Sequence, residues 1–289
     1  MKRTFISSTV VERLNAINDL VWLQEFSLHE LDLVSLGHSK KAAALCTTDV
    51  FGKNPYAARI NIRLDKMPAF RRRLTEALLV TVFSQSFELL NDYVRVTVSL
   101  LKNHGNRPWQ SVLLRRAPEE RLEDSWNATG YPAICSELWN TFKYFRLRRN
   151  HYSHIAQVVS PNFTGFLAAQ GAQLNQYWRD PSRMGPVAPL DFSSQVIFAP
   201  TIAEVSAMLR VHLLWVLHFD PLVVAQLDQK KLISEFAKGR WHAAGGGKFR
   251  KNDATVGKLA RTIRAEFRRR TGGTSSVGAL EKLIWRFKE

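Results

Sequence analysis

The sequence predicts a mostly α-helical protein, a helical bundle with an irregular N-terminal segment and a basic helical C-terminal tail. Three observations lead there. Apolar residues recur at steps of three and four, most clearly at Phe83, Phe87, Leu90, Val94, Val98 and Leu101. A stripe of that period belongs to a helix and needs a partner surface to bury it. Glycine and proline punctuate the chain between such stretches, and no internal repeat points to a solenoid.

Taken in order, residues 8–27 read as a helix, with Thr9 as a cap and Val10, Leu14, Ile17 and Val21 at helical spacing. Residues 28–65 are the least regular part. Gly37, Gly52, Asn54 and Pro55 interrupt them, and residues 59–64 alternate like a short strand or extended arm. Residues 66–103 predict one long helix, stopped at His104-Gly105. Pro118 opens a short acidic helix at the favoured first position, and Gly130-Tyr131-Pro132 breaks the chain.

The next helix spans 132–157, with Ile134, Leu138, Phe142 and Phe145 as its stripe, and another follows at 162–178. Pro181, Gly185, Pro186 and Pro189 mark a loop. Thr201-Ile202-Ala203-Glu204 is a capping box opening a strongly apolar helix, and Asp220-Pro221 starts a further one that ends before Gly239. Gly245-Gly246-Gly247 forms a flexible joint, after which 253–270 and 275–287 read as helices. Three regions are expected: an N-terminal segment, 1–65; a bundle, 66–239; and a basic helical region, 240–289.

Composition narrows the functional classes. The chain has 289 residues, of which 45% are hydrophobic, enough for a substantial core. A formal net charge of +16 favours a polyanionic partner, nucleic acid before an anionic membrane surface. Two cysteines far apart supply neither a disulfide framework nor a zinc site. The basic start is not followed by the apolar run of a signal peptide, and no stretch approaches the uninterrupted length of a membrane span. A cytoplasmic protein with no metal, no cofactor and no membrane partner is expected. Gly245-Gly246-Gly247-Lys248 lacks the glycine spacing and hydroxyl residue of a phosphate-binding loop, and no Gly-x-Ser-x-Gly elbow occurs. His212 and His218 lie in a very apolar helix and read as core or surface residues.

Chemistry concentrates at residues 146–154. On a helix turning about 100° per residue, Arg149 falls close to Phe142, inside the apolar stripe. A guanidinium there must face a partner, a cleft or an interface, because burying it alone is costly. Asn150 and His154 share a flank one turn apart; His151 lies opposite. Arginine forks onto phosphate oxygens, and histidine moves protons near neutrality. Together they suit RNA cleavage, where the 2′-hydroxyl is a built-in nucleophile. Arg261, Arg264 and Arg268 fall on one face of a C-terminal helix and read as a phosphate-tracking surface, to which Arg146 and Arg148 add charge.

The run Arg149-Asn150-His151-Tyr152-Ser153-His154 resembles the HEPN family (higher eukaryotes and prokaryotes nucleotide-binding). Its ribonuclease members are α-helical bundles carrying Arg-polar-x-x-x-His near a helix end. The resemblance implies catalytic Arg149 and His154, with Asn150 orienting them. It also implies a homodimer with a composite active site, and an acidic residue from the preceding helix, for which Glu88 and Asp92 are the candidates. Many members act as toxins or anti-phage effectors, so RNA is the expected substrate and an antitoxin or other regulatory protein a second partner. The competing expectations are a non-catalytic nucleic-acid-binding or regulatory helical protein and a HEPN-like scaffold for protein interaction.

Overall fold

The computed structural model describes residues 2–38, 43–131, 135–153, 159–180, 182, 190–246 and 251–287. Among them all regular structure is helical, apart from one antiparallel bridge between Cys46 and Arg63. The mostly α expectation therefore holds. The elements are α1 (Phe5–Gly37), α2 (Thr47–Val50), α3 (Ala57–Ile60), a 3-10 turn (Leu64–Lys66), α4 (Met67–Asn103), α5 (Arg107–Gln110) and α6 (Pro118–Ala128). They are followed by α7 (Ser136–Ser153), α8 (Pro161–Trp178), α9 (Ile202–Gln226), α10 (Gln229–Ala243), α11 (Asp253–Thr271) and α12 (Val277–Arg286).

Several ends follow the sequence signals. The Phe83-to-Leu101 stripe of α4 is fully buried, and Gly105 ends that helix in the left-handed region at φ +76°. Pro118 sits in the first turn of α6. At the start of α9, Thr201 N–H donates to the Glu204 carboxylate at 2.8 Å and Glu204 N–H to Thr201 Oγ1 at 3.2 Å, closing the capping box.

Other ends do not. Thr9 lies inside α1 and bonds back to the Phe5 carbonyl; the cap is Thr4, whose Oγ1 accepts from Ser7 N–H at 3.0 Å. Residues 28–37 continue that helix. Residues 59–64 form no strand beyond the single bridge. Pro221 does not begin a helix but lies within α9, and the following helix starts instead at the Asp228 cap. That helix passes through Gly239 to Ala243. Pro132, Ile134, Pro181, Gly185, Pro186, Pro189 and Gly247 lie outside the described residues.

The chain divides into two compact units, and not at 65 and 239. Unit 1 is Met1–Arg13, Glu88–Lys143 and His212–Glu289; unit 2 is Leu14–Phe87 and Tyr144–Val211. The basic C-terminal region is thus integral to unit 1 rather than a separate tail. There α11 buries Val256, Ala260, Ile263 and Phe267, with the Phe267 ring 5.5 Å from that of Phe236 on α10.

A second cluster in unit 1 gathers Tyr93, Trp109, Trp126, Trp215 and Phe219, with Trp215 and Phe219 centroids 4.5 Å apart. Beside it lies a buried carboxylate. Asp220 accepts from Thr4 N–H (2.7 Å), Thr4 Oγ1 (2.6 Å), Ser7 Oγ (2.7 Å) and Tyr93 Oη (2.9 Å). Four donors replace the water this group gives up. By length and composition α9 could also cross a membrane, but it buries Val205, Met208, Val211, Trp215, Val216 and Phe219.

Unit 2 packs around Phe83, Tyr144, Phe145, Phe163 and Phe192, the Tyr144 and Phe192 rings lying 4.7 Å apart. The backbone of Phe192 passes so near α8 that a Cβ on Gly171 would stand 2.6 Å from its carbonyl oxygen.

Candidate functional site

Residues 149–153 of the motif lie at the C-terminal end of α7, in unit 2. On this helix Thr141, Phe142, Tyr144, Phe145 and Arg148 are buried. Phe142 and Tyr144 form the two rims of that face, with Thr141, Phe145 and Arg148 between them. The arginine in the interior is Arg148, 4% exposed; Arg149 is half-buried at the edge.

Arg148 is fully engaged. Its Nη1 donates to Glu204 Oε1 at 2.7 Å and to Tyr144 Oη at 2.8 Å. Its Nη2 donates to Tyr152 Oη at 2.8 Å and to the Phe198 carbonyl at 3.3 Å. The guanidinium carbon lies 5.5 Å from the ring centres of both Phe83 and Tyr144. Burial alone would lower its pKa, but the two tyrosines and Glu204 outweigh burial and raise it. The residue is therefore corrected from a phosphate contact to an interior tie between α7 and the start of α9. A signal for this was present in the sequence: Tyr144 and Tyr152 stand one turn before and after Arg148 on the same helical face.

Arg149 is held differently. Its guanidinium carbon lies 5.9 Å from the centre of the Phe87 ring, within range of a cation–π contact. Its Nη1 donates to Asn150 Oδ1 at 3.2 Å. The polar residue of the motif thus touches its arginine. Arg146 and Asn150 are half-buried. His154, the proposed proton carrier, lies outside the described residues.

Glu88 and Asp92 belong to unit 1. Glu88 accepts from Asn91 Nδ2 at 3.2 Å, and exposed Asp92 stands 3.6 Å from Arg95. Both carboxylates act on the Arg121 guanidinium, whose pKa falls through burial and the nearby Arg95 charge and is partly restored by them. Arg261, Arg264 and Arg268 are exposed along α11, on a flank of its buried face. Of the two histidines in α9, His212 is wholly buried with its ring 6.2 Å from that of Phe142, and His218 is exposed.

A cavity of about 940 Å³ in unit 2 includes neither Arg149 nor Asn150 among its lining residues. Glu25, Asp32, Asp65 and Glu76 line it, and Arg71 there is tied to Glu25 at 2.7 Å and to Asp32. Such a lining suits a polyanion poorly. Among the described residues no three His, Cys, Asp or Glu side chains gather as a metal ion would need. No family model, curated protein or solved structure matches the chain.

Proposed function

We propose that this protein is a metal-independent endoribonuclease of HEPN type working at Arg149, Asn150 and His154, with a role in toxin or anti-phage defence. The observation that carries the reading is the Arg149–Asn150 pair. A guanidinium fixed against Phe87 and oriented by the neighbouring carboxamide can hold the non-bridging oxygens of a phosphodiester. Its cost of ordering is met before RNA arrives, so the contact is free to strengthen as charge builds on the phosphorus.

In this reaction the 2′-hydroxyl loses its proton and its oxygen bonds to phosphorus. The bond to the 5′-oxygen breaks, and that oxygen takes up a proton. The products are a 2′,3′-cyclic phosphate and a 5′-hydroxyl. His154 handles proton transfer, and Arg149 offsets the developing negative charge. A second copy of the chain completing a composite cleft fits an arginine that lies at the edge of the buried face.

The test is cleavage of RNA in EDTA by wild type, Arg149→Ala and His154→Ala. Cleavage by wild type alone is expected, each substitution lowering the rate at least 100-fold. Undiminished cleavage by pure His154→Ala would falsify the assignment.

A second reading, non-catalytic nucleic-acid binding, is favoured by the exposed arginine line of α11. It expects no cleavage, and binding that weakens when Arg261, Arg264 and Arg268 become glutamine. The slope of log affinity against log salt should then shrink by about 2 for a single strand.

A further inference from the structure

The arginine line of α11 leads to a cavity of unit 1 whose chemistry the motif reading does not use. Lys2, Arg3, Arg268 and Arg269 line this space of about 370 Å³, with Val11, Val216, Leu217 and Pro221 as an apolar wall. The volume lies toward the lower end of the ~300–1,000 Å³ range of ligand pockets.

The cations are brought together by main-chain bonding, from opposite ends of the sequence. Gly272 ends α11 in the left-handed region at φ +66°. The turn leaves the last carbonyls of α11 open to the N-terminal segment. Lys2 and Arg3 N–H both donate to the Thr271 carbonyl, at 2.7 and 3.2 Å. Arg3 adds Nε to the Arg270 carbonyl at 2.8 Å and Nη2 to the Arg269 carbonyl at 3.3 Å. The Lys2 stem lies on Gly272, where a Cβ would stand 3.2 Å from its Cγ.

Like charges that line one space repel one another unless an anion joins them. The chain supplies little. Arg269 meets Glu12 at 3.8 Å, with both side chains more than half exposed, a weak pair in water. Lys2 and Arg268 have no acidic partner among the described residues. Asp220 also lines the space, but its oxygens already take four hydrogen bonds, from Thr4, Ser7 and Tyr93.

We infer that this cavity binds the terminal phosphate of an RNA strand whose backbone continues along Arg268, Arg264 and Arg261. A terminal monoester carries more negative charge than a backbone diester and marks a chain end, which suits an arginine line that runs into a cavity. The apolar wall takes the terminal nucleoside. The inference rests on RNA being the ligand, but not on its cleavage.

The experiment uses the full chain and a short 2′-O-methyl oligonucleotide, which has no 2′-hydroxyl to attack. Affinity is measured by fluorescence anisotropy with a 5′-phosphate, a 3′-phosphate or hydroxyls at both ends. One terminal phosphate should tighten binding about tenfold, the effect of one charge-assisted contact. Lys2→Gln/Arg268→Gln should abolish that gain while the thermal midpoint stays near wild type. Arg261→Gln/Arg264→Gln should weaken all three ligands and leave the gain intact. Equal affinity for all three ligands overturns the inference, as does a gain that survives Lys2→Gln/Arg268→Gln. AMP or inorganic phosphate competing as well as the phosphorylated strand would assign the cavity to a free anion and overturn it too. Failure of RNA cleavage leaves these outcomes readable.

Discussion

Arg148 shows what a guanidinium requires before it leaves water. Glu204 neutralises it, two tyrosine hydroxyls and a carbonyl take its remaining protons, and rings cover its faces. Removing the charge strands Glu204 and the hydroxyls together. Arg148→Ala should therefore cost about 3–5 kcal/mol in urea unfolding, and Arg148→Met less, because its stem still fills the space. The neighbouring phenol gives a second test. Burial pushes the Tyr152 hydroxyl up from 10.0 to about 12, with Arg148 opposing. Below pH 10 the phenol is protonated in both folded and unfolded chains. Between pH 10 and about 12 the unfolded chain loses the proton first, so stability falls as pH rises, by about 2 kcal/mol for this group. Tyr93 and Tyr144 are raised by burial as well and steepen the wild-type fall. Unfolding midpoints measured from pH 9 to 12 should drop less steeply in Tyr152→Phe. The tyrosine–arginine–tyrosine spacing was readable in the sequence; the Phe198 carbonyl that completes the set was not, since no local pattern ties residue 198 to α7.

At the scale of elements, close approach decides what local propensity cannot. Gly171 lies mid-helix in α8, where alanine would favour the helix by about 1 kcal/mol. Yet a Cβ there meets the Phe192 carbonyl oxygen, a main-chain atom that cannot simply rotate away. Gly171→Ala should lower stability by about 1–3 kcal/mol despite its better propensity, and a rise in melting temperature would disprove the contact. The same contrast separates legible ends from illegible ones. The stop at Gly105, the start at Pro118 and the box at Thr201 are local devices written in adjacent residues. Pro221 is not. It reads as a helix start, but Asp220 is anchored by Thr4, Ser7 and Tyr93 from distant parts of unit 1. Tertiary bonds carry α9 through the proline. Asn150 stands next to Arg149 in the chain, and their contact is the part of the candidate site that chain neighbours alone could supply.

For the whole molecule, the charge excess was legible and its layout was not. The basic residues after 240 looked like a tail because composition changes there, but their apolar partners are spaced along α11 and meet α10. Unit 1 is assembled from three stretches of chain and unit 2 from two, a division invisible to any local window. The bonds that join Arg3 to the end of α11 span 266 and 267 positions, and those from Thr4 and Ser7 to Asp220 span 216 and 213. Contacts this distant form late, since the loop they close must be ordered first. During synthesis, the opening turn of α1 leaves the ribosome long before Asp220 or Thr271 exists. Until then Thr4 and Ser7 lack their carboxylate, and the four cations of the terminal cavity are apart. The cavity itself therefore cannot form until α11 has been made, so the order of translation sets when its lining comes together.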